Sequence, residues 1–317
     1  MKNNRGPLFG SMVLLLTSVI WGLAFVAQSA GMRSVGPFTF QCVRSFLGLL
    51  TILPVLILRY RRNQQEVREG KARNMFEFHN VLKGGLGCGL AFTFACTIQQ
   101  MAMKTAGAGK AGFLTALYLV FLPVFGFFLG QKIPKKIIFC VIFCMGGIYL
   151  LSVSETSGMN ASDVMLIVCA AVFATHIMIV NAMTDRVDGV CLSFCQLLFS
   201  VVSLAVPALV FDHPTWSALK EAAPSILYSG IMSSGIAYTL QIIGQRYTPP
   251  VTAGLILSLE SVFALLGGMV ILQQIPTLRE ASGCVLVFAA VIYAQIPERK
   301  RHNNAVEEDG ISSQMEG

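Results

Sequence analysis

The chain has 317 residues, of which 55% are apolar and 12% charged, with a formal net charge of +7. Soluble domains carry about 25% charged residues, and a water-soluble fold of this composition would expose far too much apolar surface. That excludes an ordinary cytosolic enzyme, a coiled coil, a collagen-like fibre and a disordered chain, and leaves an all-α protein dissolved in lipid.

A lipid-crossing helix needs roughly 20 mostly apolar residues, and ten stretches meet that need. The first, 8–29, carries Trp21 and Gln28 and is too long for a signal-peptide core. The second, 37–58, holds Gln41, Arg44 and Pro54, and a basic link from Arg59 to Asn80 follows. The third, 79–103, opens with the glycines of 84–89, suited to close helix contact, and ends near Gln99 and Gln100. The fourth, 109–130, carries Thr115 and Tyr118, which share a helix face, and Pro123. The fifth is 134–153. The sixth, 163–183, holds His176; the seventh, 189–210, holds Gln196 and Pro207. The eighth, 222–245, carries Tyr238, Gln241 and Gln245; the ninth, 250–272, carries Glu260; the tenth is 277–296. The three prolines mark candidate kinks. The polar, acidic-ended tail 297–317 reads as disordered. Nine cysteines lie in apolar stretches without a C-x-x-C pair or metal spacing, so neither a disulfide framework nor a cofactor is implied.

Lysine and arginine positions set orientation. With the N-terminus in the cytoplasm, that side holds 17 basic residues and the other side 5. Both ends are then cytoplasmic, in an inner membrane. The basic link lacks interleaved aromatics for stacking bases, so nucleic acid is not an expected partner.

The chain also repeats itself. A shift of 142 residues superposes 95–134 on 237–276 without a gap, with 12 of 40 positions identical. The matches include Gln99 with Gln241 and the Q-x-I-P turn at Gln131 and Gln273. A weaker match at a shift of 152 pairs Trp21 with Phe173 and Arg44 with Gln196. The reading is therefore ten helices as two inverted five-helix repeats, because an odd number of spans per half reverses its sense. Inverted repeats place a site near the midplane where the halves meet, as in secondary transporters.

Ionisable groups within spans are costly and are functional candidates. Three sit deep: Arg44, His176 and Glu260. Arg44 suits a carboxylate or phosphate, which a guanidinium grips with two bonds; the alternative is an ion pair with Glu260. Glu260 falls opposite Tyr118 in the repeat, so both are expected to face one central space. Apolar surroundings favour the neutral form of a carboxyl, which suits proton coupling. His176 is either a titrating group or a hydrogen-bonding residue of the packing. The expected substrate-binding or coupling residues are Arg44, Tyr118, His176, Gln241 and Glu260, with Gln99, Thr115 and Gln196 behind them.

Several of these segments resemble the drug/metabolite transporter superfamily, in its EamA-domain branch. W-G-L-A-F-V-A-Q (Trp21 to Gln28) is similar to the family's first helix, and G-P-F-T-F-Q-C-V-R (Gly36 to Arg44) to its second, arginine included. The run from Gln99 to Tyr118, with Pro123, resembles the third and fourth helices of a bacterial subgroup. S-L-E-S-V-F-A (Ser258 to Ala264) is similar to the ninth-helix signature, glutamate included. The resemblance implies two EamA repeats, 8–153 and 163–296, cytoplasmic ends and a central cavity. Most members carry a glycine-glutamate pair ending the fourth or ninth helix. Here those places read Gly130-Gln131 and Gln273-Gln274, which leaves open any role of that glutamate.

The expected function is a permease moving a small metabolite or drug-like solute by alternating access, with export the favoured direction. No nucleophile–base or metal constellation suggests an enzyme. A facilitator or exchanger without proton coupling, and a non-transporting scaffold or sensor, stay open at this point, as does a homodimer.

Overall fold

The structure, a computed structural model, describes residues 5–105, 108–152, 160–272 and 277–296. Among them every regular element is helical, and nine segments are long and apolar enough to cross a bilayer. The first half comprises α1 (Arg5–Gly31), α2 (Pro37–Arg68) and α3 (Phe78–Met103). It continues with α4, in two pieces (Ala108–Thr115 and Tyr118–Phe128), and α5 (Lys135–Ser152), which supplies the remaining expected span. The second half begins with α6 (Ala161–Met183) and α7 (Gly189–Pro207), the latter prolonged by a wide π turn, Ala208–Asp212. A short helix, Trp216–Glu221, leads into α8. That helix runs through Ala223–Leu227, a π-helical stretch Tyr228–Ala237, and Tyr238–Gln245. The last two are α9 (Pro250–Leu257 and Glu260–Leu272) and α10 (Leu278–Gln295). The polar tail expected at 297–317 and the second Q-x-I-P turn lie outside the described residues.

Local chemistry accounts for the helix ends. Reciprocal capping boxes, Asn160 with Asp163 and Thr277 with Glu280, start α6 and α10. Asp188 starts α7 by accepting from the amides of Val190 and Cys191. The first turn of α2 borrows its cap: the Thr39 amide donates to Asp212 Oδ2, 2.6 Å away at the far end of α7. On the opposite side α2 continues past its expected end at 58, as far as Arg68. The extension is built of straight-chain helix formers, with Arg62 bonded to Glu66 at 2.8 Å and Gln65 to Glu69 at 3.0 Å.

Packing repeats between the halves. Helix α3 lies on α6 as α8 lies on α1; α2 meets α8 as α7 meets α3; and α4 meets α6 as α9 meets α1. The corresponding helices α2 and α7, α4 and α9, and α5 and α10 also touch each other. Exchanging each helix with its counterpart maps this contact pattern onto itself, as a pseudo-two-fold axis requires. The main apolar core lies between α4, α5, α6, α9 and α10, around Leu119, Leu122, Ile148, Ile177, Leu255 and Val287. Leu90, Phe128, Val202 and Val285 lie exposed on the outside, where a multi-pass membrane protein meets lipid.

Candidate functional site

The two halves are interrupted at matching places. In α4 the Leu117 amide donates to Leu114 O at 3.3 Å and the Leu119 amide to Ala116 O at 3.0 Å. In α9 the Leu259 amide donates to Ile256 O and the Ser261 amide to Ser258 O, both at 3.2 Å. These tight i→i−3 bonds replace part of the regular ladder. The affected residues are those that the 142-residue shift superposes, Ala116–Leu117 on Ser258–Leu259. Interrupted helices in corresponding positions of two inverted halves point to a binding site between them. Neither interruption contains glycine or proline, and the apolar spans 109–130 and 250–272 run through both without a break in the sequence.

A small cavity of about 40 Å³ lies beside these interruptions. Much of its wall consists of repeat-related pairs: Trp21 with Phe173, Phe25 with Ile177, Gln99 with Gln241, Thr115 with Leu257, and Tyr118 with Glu260. Gln28, Arg44, Ser233 and Tyr238 complete it without a counterpart. Six of the eight residues singled out from sequence thus meet here: Arg44, Gln99, Thr115, Tyr118, Gln241 and Glu260.

His176 and Gln196 are placed differently. Both are fully buried behind the wall, with His176 Nε2 and Gln196 Oε1 2.9 Å apart. The His176 ring sits near Tyr238 and Phe92, and Tyr238 in turn packs 4.7 Å from Trp21. Gln245, one turn beyond Gln241, donates to Ile177 O at 3.0 Å and does not line the cavity.

The charges define the chemistry. Arg44, 1% exposed, donates from Nε to Gln41 Oε1 at 2.6 Å and from Nη1 to Gln28 Oε1 at 2.8 Å. Gln28 Oε1 also accepts from Gln100, and Gln41 donates to Ser45 and Ser200. The guanidinium is therefore fixed by neutral amides, and no ion pair with Glu260 forms among the described residues. Gln28 and Gln41 take two of the five guanidinium N–H donors, and Glu260 does not come within ion-pair distance of the rest. Glu260, 5% exposed, has no hydrogen-bond or ion-pair partner among the described residues. Nearer the interruption, Gln99 Nε2 donates to Thr115 Oγ1 at 3.2 Å and the Tyr118 hydroxyl to Gly254 O at 3.4 Å. Trp21 Nε1 and Gln241 Oε1 have no partner among the described residues, leaving a donor and an acceptor on wall side chains.

The aromatic part of the wall, Trp21, Phe25, Phe173 and Tyr238, was not among the expected site residues. Its signal was the weaker repeat, which pairs Trp21 with Phe173, one of the few places where large rings coincide.

A model of the EamA-like transporter family matches residues 8–153 and again 160–294. The chain belongs to the EamA-like transporter family. It is similar to an "Uncharacterized transporter" of Archaeoglobus fulgidus, 28% identical over 290 residues, covering 91% of this chain and 86% of that one. It is also similar to the "Uncharacterized transporter YoaV" of Bacillus subtilis, at 21% identity over 88% of this chain and 94% of that one. A solved crystal structure shares the fold of this EamA-like protein, with a TM-score of 0.72 at 19% identity. That likeness covers 93% of this chain and 97% of the other. This EamA-like protein is thus a multi-pass membrane transporter of the drug/metabolite type with two EamA repeats, a family of carriers rather than enzymes.

Proposed function

We propose that this transporter moves a small metabolite or drug-like solute carrying an anionic group, by alternating access around the central cavity. The observation that carries the reading is the buried Arg44 guanidinium, held toward the cavity by neutral partners at the paired helix interruptions. A fixed cation with no carboxylate bonded to it favours an anion, and the fork of donors suits carboxylate or phosphate. The rings of Trp21, Phe25, Phe173 and Tyr238 would cover the apolar part of the solute. Tyr118, Gln99, Thr115 and Gln241 would orient its polar groups, with His176 and Gln196 supporting the wall. The two functional halves are 8–153 and 163–296, with 297–317 as a tail in the cytoplasm. The basic bias supports cytoplasmic ends in an inner membrane, and export is the direction we favour.

Proton coupling belongs to the same reading. The Glu260 carboxyl has no fixed partner among the described residues, which leaves it free to exchange a proton as the cavity opens to each side. The cavity supports transport over a scaffold or sensor, whose centre would be packed with aliphatic side chains.

A thermal-shift screen of amino acids, amines, nucleosides and sugar phosphates would supply the solute for proteoliposome assays. Arg44→Ala is expected to abolish flux in protein that still folds. Glu260→Gln is expected to remove accumulation driven by a pH gradient. Normal flux in both variants would overturn the site, whereas normal gradient-driven accumulation in Glu260→Gln alone would leave an uncoupled carrier.

A further inference from the structure

A second polar pocket, of about 380 Å³, lies at the end of the bundle opposite the Asp212 cap of α2. Its walls come from three places. The extension of α2 supplies Arg59, Arg62 and Glu66, the link before α3 supplies Arg73, and the second half supplies Asp188 and Arg246. Hydrogen bonds fix this frame. Asn63 donates to Arg73 O at 3.0 Å and accepts from the Met75 amide at 3.1 Å. The Asp188 amide donates to Met75 O, also at 3.1 Å, joining the two halves.

The pocket holds four guanidiniums against two carboxylates. Glu66 pairs with Arg62 at 2.8 Å, and Asp188 stands 3.7 Å from Arg59 while its Oδ1 caps α7. Arg246 reaches only Asp185, at 3.9 Å and outside the pocket, and Arg73 has no ion pair among the described residues. Topology alone explains basic residues in this link, but it does not require them to converge from three segments. The counterpart link on the opposite face, 213–222, carries Lys220 as its one basic residue apart from His213.

We propose that this pocket binds a phosphate group, carried by a lipid headgroup or by a free phosphate compound. Guanidiniums match phosphate with paired donors. Basic pockets between membrane helices at headgroup level suit anionic lipid heads. A bound phosphate would lie between Arg73 of the first half and Arg246 of the second, and so tie the halves together at this end. The inference is independent of the central cavity and of what the transporter carries.

The test uses the purified full chain. Thermal stability is measured with inorganic phosphate, with chloride at equal ionic strength, and in bilayer discs of phosphatidylcholine with or without phosphatidylglycerol. Phosphate or phosphatidylglycerol is expected to raise the melting temperature. Arg73→Gln with Arg246→Gln is expected to weaken that binding by about tenfold or more. Arg61→Gln, on the same helix outside the pocket, removes a charge but is expected to respond as the parent does. Stabilisation by inorganic phosphate in detergent assigns a free phosphate compound; stabilisation by phosphatidylglycerol alone assigns a lipid head. No stabilisation by either probe, or an equal loss in Arg61→Gln, overturns the proposal.

Discussion

Arg44 illustrates what a single side chain contributes in lipid. A guanidinium stays protonated under all working conditions, so it must be partnered or solvated. Gln28 and Gln41 supply two oxygen acceptors without cancelling its charge. An acidic partner would have neutralised the site. Replacing Arg44 by Lys keeps the charge but loses the planar fork, so we expect transport to fall by about tenfold, with little change in melting temperature. Full activity of that variant would mean that the charge alone matters. His176 makes the opposite case. It lies behind the wall and bonds Gln196, so His176→Ala leaves a buried amide short of a partner, at a cost of about 1–3 kcal/mol. The expected result is a lower melting temperature with unchanged flux per folded molecule. Loss of flux at an unchanged melting temperature would instead place His176 in the transport chemistry.

At the scale of elements, the interruptions in α4 and α9 do what regular helices cannot. They turn Tyr118 and Glu260 into the first residues of new helical pieces beside the cavity. The α9 interruption is pressed close to α1. A Cβ on Gly22 would come within 2.7 Å of Glu260 O and 2.6 Å of Phe263 Cβ. Gly22→Ala should therefore displace α9, costing about 1–3 kcal/mol and lowering transport with it. A thermal-melt and flux pair reads both effects, and an alanine accepted without loss of either would show that α1 yields freely. Gly130 has another task. Its φ is +73°, its amide donates to Phe127 O, and the next amide, of Gln131, donates to Gly126 O. This closes α4 with a left-handed cap, so the glycine of the departed glycine-glutamate pair retains a backbone role. Gly130→Ala is expected to cost about 1 kcal/mol in stability and to leave transport unaltered, measured by the same pair of assays.

The whole molecule is two interlocked halves rather than two domains in series. Helix α3 rests on α6 and α8 on α1, so each half completes the other's packing. We expect residues 1–155 and 156–317, expressed as separate chains, to accumulate and transport only when produced together. Stable accumulation of either half alone, judged by membrane yield, would argue against interlocking.

Much of this was legible in the sequence. Hydropathy is a property of each segment taken alone, because every lipid-crossing helix must satisfy its own backbone. The ten spans, the lipid environment and the repeat therefore followed from composition and self-comparison. So did the shortlist from which six residues reached one cavity, because polar side chains in spans are too costly to be incidental. The rest depended on how helices rotate and which neighbours they meet. Only the tertiary structure interrupted α4 and α9 where no glycine or proline stands, gave Arg44 to glutamines instead of Glu260, and set His176 behind the wall. Spacing along one helix fixes which residues share a face. Which face meets the centre is settled by contacts between helices distant in the chain.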